Sequence, residues 1–212
     1  MNQSRKVTLY HSPNTRSSGA LLLLEELGAD YELHVLNMKA GAQREPAYLA
    51  LNPLGKVPAI RHGEALVTEQ AAVAIYLADL YPESGLAPAL DDPLRGPYLR
   101  WLVFYGSSFE PAVVDRAMKR EPGPPAMSPY GSYEAVIDAI CDQLRPGPYL
   151  LGARFTAADV LWGMALTWTT GFKVVPERPE IMAYLARIAD RPALARLREI
   201  DARLAREQEA TG

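Results

Sequence analysis

Residues 52–60 constrain the fold of this chain more than any other segment, because two prolines and a glycine interrupt the sequence just before a short apolar strand. Pro58 cannot donate a hydrogen bond to a sheet, and it restricts Val57 to extended conformations. The Val57–Pro58 bond is therefore a candidate for a sharp turn with a cis peptide. In such a turn the backbone N–H and C=O of Val57 are available to an extended, peptide-like ligand, as in strand addition to a sheet edge.

A second feature that suits such a ligand lies at the start of the next predicted helix. Glu69 and Gln70 open a segment whose apolar residues share one helical face, namely Ala72, Ile75, Tyr76 and Leu80. Free N–H groups at a helix N-terminus favour a carboxylate. An ordinary acidic helix start accounts for Glu69 but accounts poorly for Gln70. The two features together predict a binding site for a peptide-like ligand that carries a carboxylate.

Hydrophobic periodicity predicts a small α/β unit over residues 1–82. Its expected elements, in chain order, are a strand over 6–11, a helix that ends at Gly28, a strand over 31–36, a hairpin that joins 59–60 to 66–67, and a helix over 69–81. A β-α-β start requires a parallel pair with a right-handed crossover. The order βαβ-ββα is that of a thioredoxin-like domain.

The sequence changes character after Tyr81, where prolines and glycine predict a linker over residues 83–92. Residues 93–212 carry only helical patterns and are expected to form an all-α domain. A long helix is expected over 94–119, bent at Gly106 or Pro111, and the proline-rich residues 121–129 are expected to form a loop. Later helices are predicted from three apolar faces: Ile137, Ile140, Cys141 and Leu144; Leu161, Met164, Ala165 and Trp168; Leu194, Leu197, Ile200 and Leu204.

Composition excludes several classes of function. A net charge of −3 over 212 residues argues against non-specific nucleic-acid binding. The apolar run 21–24 is too short to span a membrane or to direct export, so we expect a cytoplasmic protein without membrane contact. The lone Cys141 excludes an internal disulfide, and its place on an apolar face predicts an inert core residue. His11, His34 and His62 lack the spacing of metal ligands, so no metal is expected.

Taken in order, these motifs resemble the cytosolic glutathione transferase family, with the bacterial theta-, beta- and nu-like members as the nearest pattern. The family pattern N-P-x-G-x-V-P is present at residues 52–58, and the E-S or E-Q pair that opens the third helix is present as Glu69-Gln70. The segment 9–28 and the motif 155–159 also match, so the resemblance covers nearly the whole chain. It implies a thioredoxin-like N-terminal domain, an all-α C-terminal domain, and glutathione as co-substrate.

The resemblance also implies roles for individual residues in glutathione binding. Val57, before Pro58, is expected to pair with the cysteinyl backbone of glutathione. Glu69 is expected to take the γ-glutamyl amine, and Gln70 the γ-glutamyl carboxylate. The family positions that reach the glycine carboxylate are occupied here by Lys39, Gln43 and Lys56, although each of these alone is more typical of a solvated surface.

The loop over residues 12–18 is where the family holds the group that stabilises the glutathione thiolate. A thiol with a pKa of about 8.5 is mostly protonated at neutral pH, and a hydroxyl donor favours its anion. An ungapped match to the theta-like classes points to Thr15, a tau-like S-P match points to Ser12, and Ser17 and Asn14 stay open as alternatives. Ser12 ahead of Pro13 also suits the N-cap of the first helix, and Thr15 and Ser17 are alternative caps if the helix starts later. Arg16 stands where beta-like members have cysteine, which argues against mixed-disulfide chemistry.

The resemblance implies that the first long helix supplies the pocket for the second substrate. Its candidate pocket residues, Trp101, Tyr105 and Ser108, share one helical face, and of the three we interpret Trp101 as a core residue. Thr156 and Asp159 match an N-cap with an acid three residues later, which indicates a buried helix cap without a catalytic role.

The resemblance therefore implies a detoxifying transferase that joins glutathione, as its thiolate, to a small hydrophobic electrophile. One alternative is other glutathione-dependent chemistry, namely peroxide or disulfide reduction, isomerisation or dehalogenation. Another is a non-catalytic, transferase-like interaction protein. The resemblance further implies a homodimer, with Tyr76, Tyr98 and Trp101 as candidate contacts.

Overall fold

The computed structural model describes residues 5–121 and 123–210. Its sheet has four strands, β1 (Val7–His11), β2 (Tyr31–Val35), β3 (Ala59–His62) and β4 (Ala65–Thr68), in the order β2-β1-β3-β4. β1 pairs in parallel with β2 and antiparallel with β3, and β3 forms a hairpin with β4. The sequence predicted each of these strands and the parallel crossover.

The helices follow the predicted order with two additions. Their bounds are α1 (Ser17–Leu27), α2 (Pro46–Leu49), α3 (Gln70–Leu80), α4 (Arg95–Phe104), α5 (Glu110–Ala117), α6 (Tyr133–Leu144), α7 (Ala157–Gly171), α8 (Pro179–Ala189) and α9 (Pro192–Ala210). A π-helical segment over Tyr105–Phe109 joins α4 to α5, so the predicted bend at Gly106 lies inside it. The sequence reasoning missed α2 and α8.

The chain divides into two compact units, and α9 belongs to the first of them. That unit comprises the described residues up to Ser84 and from Arg191 onward, and the second comprises residues 85–190. The domain boundaries at 82 and 93 stay a prediction from the sequence. The thioredoxin-like arrangement of sheet and helices followed by a helical region is confirmed.

Within the first unit, α1 is buried, and ion pairs join its last turn to the beginning of α9. The four leucines at 21–24 are at most 2% exposed. Arg191 donates two hydrogen bonds of 2.6 Å to the carboxylate of Glu26, and Arg196 pairs with Glu25 at 2.5 Å. The bidentate pair fixes both distance and orientation. The beginning of α9 is therefore held in a defined position against the C-terminal end of α1.

Within the second unit, the predicted helix cap is present. The N–H of Thr156 donates to Oδ2 of Asp159 at 2.8 Å, and both residues are fully buried. Trp101 packs edge-on against Trp162, whose ring nitrogen donates to the Trp101 carbonyl oxygen at 3.0 Å. Among the described residues, none of the helices combines the length and the apolar character needed to cross a bilayer.

Candidate active site

The loop between β1 and α1 does not start the helix where the sequence reasoning placed it. α1 begins at Ser17, and its N-cap is Arg16, whose side chain makes no capping hydrogen bond. The prediction that Ser12 caps the helix ahead of Pro13 is therefore wrong. Asn14 has a φ of 56°, a left-handed conformation that asparagine tolerates better than most residues. The chain thus turns once more before it enters the helix.

This turn gathers the hydroxyl candidates into one cluster. Oγ1 of Thr15 donates to the Ser12 carbonyl oxygen at 2.7 Å and lies 2.8 Å from Oγ of Ser17. The N–H of Ser12 donates to the same Ser17 oxygen at 3.1 Å. Ser12 and Ser17 are buried, whereas Thr15 is partly exposed. Of the hydrogen-bonded hydroxyls, Thr15 is thus the one that a ligand can reach from outside.

The fourth candidate in the loop, Asn14, takes part through its backbone. Its side chain is exposed, and its N–H donates to Oδ2 of Asp201 at 3.1 Å. Ser18 donates to the same carboxylate oxygen at 2.6 Å. Asp201, on α9, therefore holds both the loop and the first turn of α1.

The structure also brings a histidine into this cluster that the sequence reasoning did not assign. His11, at the end of β1, lies 2.9 Å from Asp201 through its Nε2 and 2.9 Å from Ser17 through its Nδ1. His11 is fully buried. Two signals were available: His11 occupies the inward-facing positions of β1 with Val7 and Leu9, and a carboxylate interrupts the apolar face of the last helix at Asp201. The sequence could not show that two residues 190 positions apart meet.

The charge on Asp201 is held in place by its partners. Burial alone would raise the pKa of this carboxyl. The hydrogen bonds from His11, Ser18 and the Asn14 N–H outweigh burial and leave the pKa of Asp201 below its ordinary value. Asp201 is therefore a carboxylate at neutral pH, despite being only 7% exposed.

The turn before β3 has the geometry that its prolines predicted. The Val57–Pro58 peptide is cis, and Val57 is 8% exposed. The carbonyl oxygen of Lys56 accepts hydrogen bonds from the Tyr48 hydroxyl at 2.5 Å and from the Asn52 side-chain amide at 3.0 Å. Because N–H and C=O point in opposite directions across a trans peptide, this anchor turns the Val57 N–H away from Tyr48 and Asn52.

The neighbouring turn carries the candidates for a glycine carboxylate. Gly55 has a φ of 59°, and a Cβ there would lie 2.7 Å from the backbone oxygen of Gln43, so only glycine lets the two turns approach. The side-chain oxygen of Gln43 is buried and accepts no hydrogen bond from the part of the chain that the structure describes. Lys56 is exposed. Lys39 is also exposed and lies 4.0 Å from Glu209 on α9.

The start of α3 is tied to the hydroxyl loop. The side-chain amide of Gln70 donates to the Arg16 carbonyl oxygen at 3.2 Å. Glu69 precedes α3 with φ 67° and ψ 124°, an unfavourable backbone conformation for a residue other than glycine. Its side chain is exposed. Strain of this kind persists where the surroundings impose it, and it often marks ligand sites.

In the second unit, the residues proposed for the acceptor pocket differ in exposure. Trp101 is 1% exposed, which confirms its interpretation as a core residue. Tyr105 is 5% exposed, and its hydroxyl donates to the Glu110 carboxylate at 2.5 Å. Ser108 is partly exposed, in the π-helical segment. Such segments frequently occur at functional sites.

Two of the three residues named as dimer contacts are core residues of the single chain. Tyr98 and Trp101 are 0% and 1% exposed, so these two assignments are wrong. Tyr76 is partly exposed, and its hydroxyl lies 2.8 Å from Nδ1 of His62.

Cys141 is buried, and burial raises the pKa of its thiol, as expected for an unreactive cysteine. Among the described residues, no three His, Cys, Asp or Glu side chains lie together as a metal-binding group.

Comparison with known proteins identifies relatives for the whole arrangement. Residues 5–79 match the family model of the glutathione S-transferase N-terminal domain. A crystal structure of a glutathione transferase from Methylococcus capsulatus is similar with a TM-score of 0.77 and 30% identity, and the match covers 92% of this chain and 98% of that one. A sphingomonad glutathione S-transferase complexed with glutathione gives 0.75 and 29%, with the same coverage.

Curated relatives are named for two different activities. A glutathione S-transferase of Hyoscyamus muticus is 29% identical over 183 residues, which cover 80% of this chain and 86% of that protein. A relative from Escherichia coli, 26% identical over 88% of this chain and 92% of its own length, is named as the disulfide-bond oxidoreductase YfcG.

Proposed function

The chain belongs to the glutathione transferase family, and from that membership we propose that it binds glutathione in its first unit, stabilises the glutathione thiolate at Thr15, and transfers it to a small hydrophobic electrophile. The sulfur–carbon bond forms as the thiolate attacks. In a substitution the leaving group departs with the electron pair of the bond that breaks, and in an addition the π pair moves to the neighbouring atom, which then takes a proton. Glutathione is thus a co-substrate.

One observation carries this proposal: Gln70 at the start of α3 is hydrogen-bonded to the backbone of the hydroxyl loop at Arg16. The residues proposed for the glutamyl end and for the sulfur of glutathione therefore belong to one connected site. The anchored Lys56 carbonyl presents the Val57 N–H on the side away from Tyr48 and Asn52, which suits pairing with the cysteinyl backbone.

We assign the proposed binding residues in order along glutathione, from its γ-glutamyl end to its glycine end. Glu69 and Gln70 take the charged γ-glutamyl end, Val57 takes the central peptide, and Lys39, Gln43 and Lys56 offer charge and amide groups for the glycine carboxylate. Thr15 donates to the sulfur. A hydroxyl donor need not lose its own proton to favour the thiolate, because a hydrogen bond to the anion is sufficient.

The binding half of the proposal is tested by Glu69→Ala, with Glu64→Ala as matched control. Both side chains are exposed, and Glu64 lies in the turn between β3 and β4. Loss of a charge-assisted hydrogen bond costs about 1.5–3 kcal/mol, so Glu69→Ala is expected to weaken glutathione binding roughly 10- to 150-fold. Calorimetry is expected to show no change for Glu64→Ala. An unchanged dissociation constant for Glu69→Ala would refute the glutamyl site, whereas failure of the unmodified protein to bind glutathione would favour a non-catalytic interaction protein.

Disulfide reduction is the second candidate function, favoured by the relative named as a disulfide-bond oxidoreductase. Arg16 occupies the position of the beta-like cysteine, and Cys141 is buried with a raised pKa. The protein therefore has no accessible thiol of its own. Two glutathione molecules would have to react in turn, the first to form a mixed disulfide with the substrate and the second to release the remaining substrate thiol. Turnover of a small disulfide that exceeds turnover of every electrophile in a panel would favour this function over conjugation.

The homodimer, the detoxifying role and the cytoplasmic location are proposed on family membership. Tyr105 and Ser108 are the proposed acceptor residues.

A further inference from the structure

A continuous chain of hydrogen bonds runs from the interior of the first unit to the partly exposed Thr15. Oδ1 of Asp201 lies 2.9 Å from Nε2 of His11, and Nδ1 of His11 lies 2.9 Å from Oγ of Ser17. Oγ of Ser17 lies 2.8 Å from Oγ1 of Thr15. Each separation is that of a normal hydrogen bond. His11 and Ser17 are fully buried, whereas Thr15 is partly exposed. Thr15 is therefore the end of this series of hydrogen bonds that a ligand can reach.

The hydrogens in this chain follow from the charge on Asp201. An ionised carboxylate only accepts, so Nε2 of His11 carries a hydrogen, and Nδ1 of the neutral ring is then an acceptor. The one hydroxyl hydrogen of Ser17 goes to Nδ1, which leaves Oγ of Ser17 able to accept from Thr15. The Ser12 carbonyl oxygen, 2.7 Å from Thr15 and 3.2 Å from Ser17, offers a resting position for either hydrogen.

Resting on the function proposed above, we propose that His11 is the base that removes the thiol proton of bound glutathione, by way of Thr15 and Ser17. The S–H bond breaks, and its electron pair stays on sulfur. Oγ1 of Thr15 gains that proton and passes its own to Oγ of Ser17, which passes its own to Nδ1 of His11. The products are a thiolate, two neutral hydroxyls and an imidazolium beside a carboxylate, so the charge of the complex does not change.

This transfer needs help from the site, because free thiols hold their proton more tightly than free imidazoles. The Asp201 carboxylate on α9 supplies it, because its Oδ1 lies 2.9 Å from Nε2 of His11, so its negative charge is beside the positive charge that the ring gains in the transfer. On the other side, His11 meets the neutral hydroxyl of Ser17 from α1. After transfer Nδ1 of His11 donates to Ser17, Ser17 donates to Thr15 and Thr15 donates to the sulfur, and hydrogen bonds aligned in this way strengthen one another.

Thr15 and α9 thus have further roles in the ionisation of glutathione. Thr15 conducts the proton as well as donating to the anion. Asp201 is a positioning residue that acts through His11. The thiol proton stays in the protein, so thiolate formation releases none to the solvent.

The direct test is nitrogen NMR of the histidine rings at neutral pH in the full-length protein. The chain has only three histidines, and His34→Gln and His62→Gln variants assign the remaining signals to His11. Spectra are recorded for the free protein, with glutathione, and with S-methylglutathione, which carries no thiol proton. We expect a neutral His11 ring in the free protein and with S-methylglutathione, and an imidazolium with glutathione.

Parallel measurements separate the failure of this inference from the failure of the proposed function. If glutathione does not bind, or its ultraviolet thiolate band does not form, the proposed function fails and the relay fails with it. If the thiolate band forms while His11 stays neutral, and calorimetry in buffers of different ionisation enthalpy shows about one proton released, only the relay is overturned. An imidazolium in the free protein also overturns it.

Two serine variants check the route. Ser17→Ala removes the link between Thr15 and His11, whereas Ser18→Ala removes a neighbouring hydroxyl that contacts the other Asp201 oxygen and lies off the route. We expect glutathione to protonate His11 in Ser18→Ala and to leave it neutral in Ser17→Ala. An imidazolium in glutathione-bound Ser17→Ala contradicts the route.

Discussion

Each unit of this protein buries one aspartate beside a helix, and the two aspartates are held in different ways. Asp159 lies in the second unit and is fully buried, with hydrogen bonds from the N–H groups of Leu150 and Thr156 and from the hydroxyls of Thr156 and Tyr184. Asp201 lies in the first unit, and its partners are the ring of His11, the hydroxyl of Ser18 and the N–H of Asn14. Only Asp201 has a partner that can itself take up a proton.

The pKa directions differ accordingly. For Asp159 burial outweighs the hydrogen bonds and raises the pKa of the carboxyl. For Asp201 burial is opposed by His11, Ser18 and Asn14, and the net effect lowers the pKa. A buried carboxylate surrounded by fixed donors thus stabilises a turn, whereas one that contacts an imidazole can take part in chemistry through that ring.

The largest effect on stability is expected at Asp159. Asp159→Ala leaves the N–H groups of Leu150 and Thr156 and the Tyr184 hydroxyl buried without that acceptor, at about 1–3 kcal/mol for each group that stays unpaired. We expect the free energy of unfolding to fall by roughly 3–5 kcal/mol in urea titrations. Glutathione affinity is expected to be unchanged where the variant is folded. A loss of affinity without a loss of stability would contradict the structural role of this aspartate.

A smaller effect with a distinct pH dependence is expected at Asp201. Its folded pKa is lowered, so its stabilisation is present above the unfolded value of about 3.9 and is lost as the pH falls through the folded pKa. Asp201→Asn should therefore cost about 1–3 kcal/mol at neutral pH, and the difference from the unmodified chain should shrink in acid.

Asp159 serves as the control for that pH dependence. Its raised pKa means that the folded state binds the proton more tightly, so its contribution decreases as the pH rises through the folded pKa. Asp159→Asn and Asp201→Asn should thus change the slope of stability against pH in opposite directions. Equal slopes for the two variants would remove the distinction between the two aspartates.

The smallest effect is expected at the Lys56 anchor. Burial raises the pKa of Tyr48 to about 12, so its hydroxyl stays a donor throughout the neutral range. Tyr48→Phe leaves the Asn52 amide on the Lys56 carbonyl and should cost about 0.5–1.5 kcal/mol of stability, together with weaker glutathione binding. Tyr81→Phe is the matched control, because the Tyr81 hydroxyl donates to the Arg5 carbonyl. Unchanged glutathione affinity in Tyr48→Phe would argue against a role of this turn in binding.

The sequence was sufficient for features that local rules determine. The prolines and glycine at 53, 55 and 58 predicted the turn before β3, and the Thr156–Asp159 spacing predicted the helix cap, because each depends on neighbours in sequence. The start of α1 was misplaced, since Ser12-Pro13 satisfies the preferences of a helix start while the loop continues to Arg16. The His11–Asp201 pair depends on how α9 packs on α1, which periodicity alone cannot register.

The central claim is that the first unit ionises glutathione through the hydroxyl of Thr15. The most direct measurement is the ultraviolet thiolate band of bound glutathione as a function of pH, in Thr15→Ala, Thr15→Ser and Ser12→Ala. We expect Thr15→Ala to raise the pKa of the bound thiol. Thr15→Ser, which keeps a hydroxyl, and Ser12→Ala are expected to stay near the unmodified protein. A thiolate band that persists in Thr15→Ala and disappears in Ser12→Ala would contradict it.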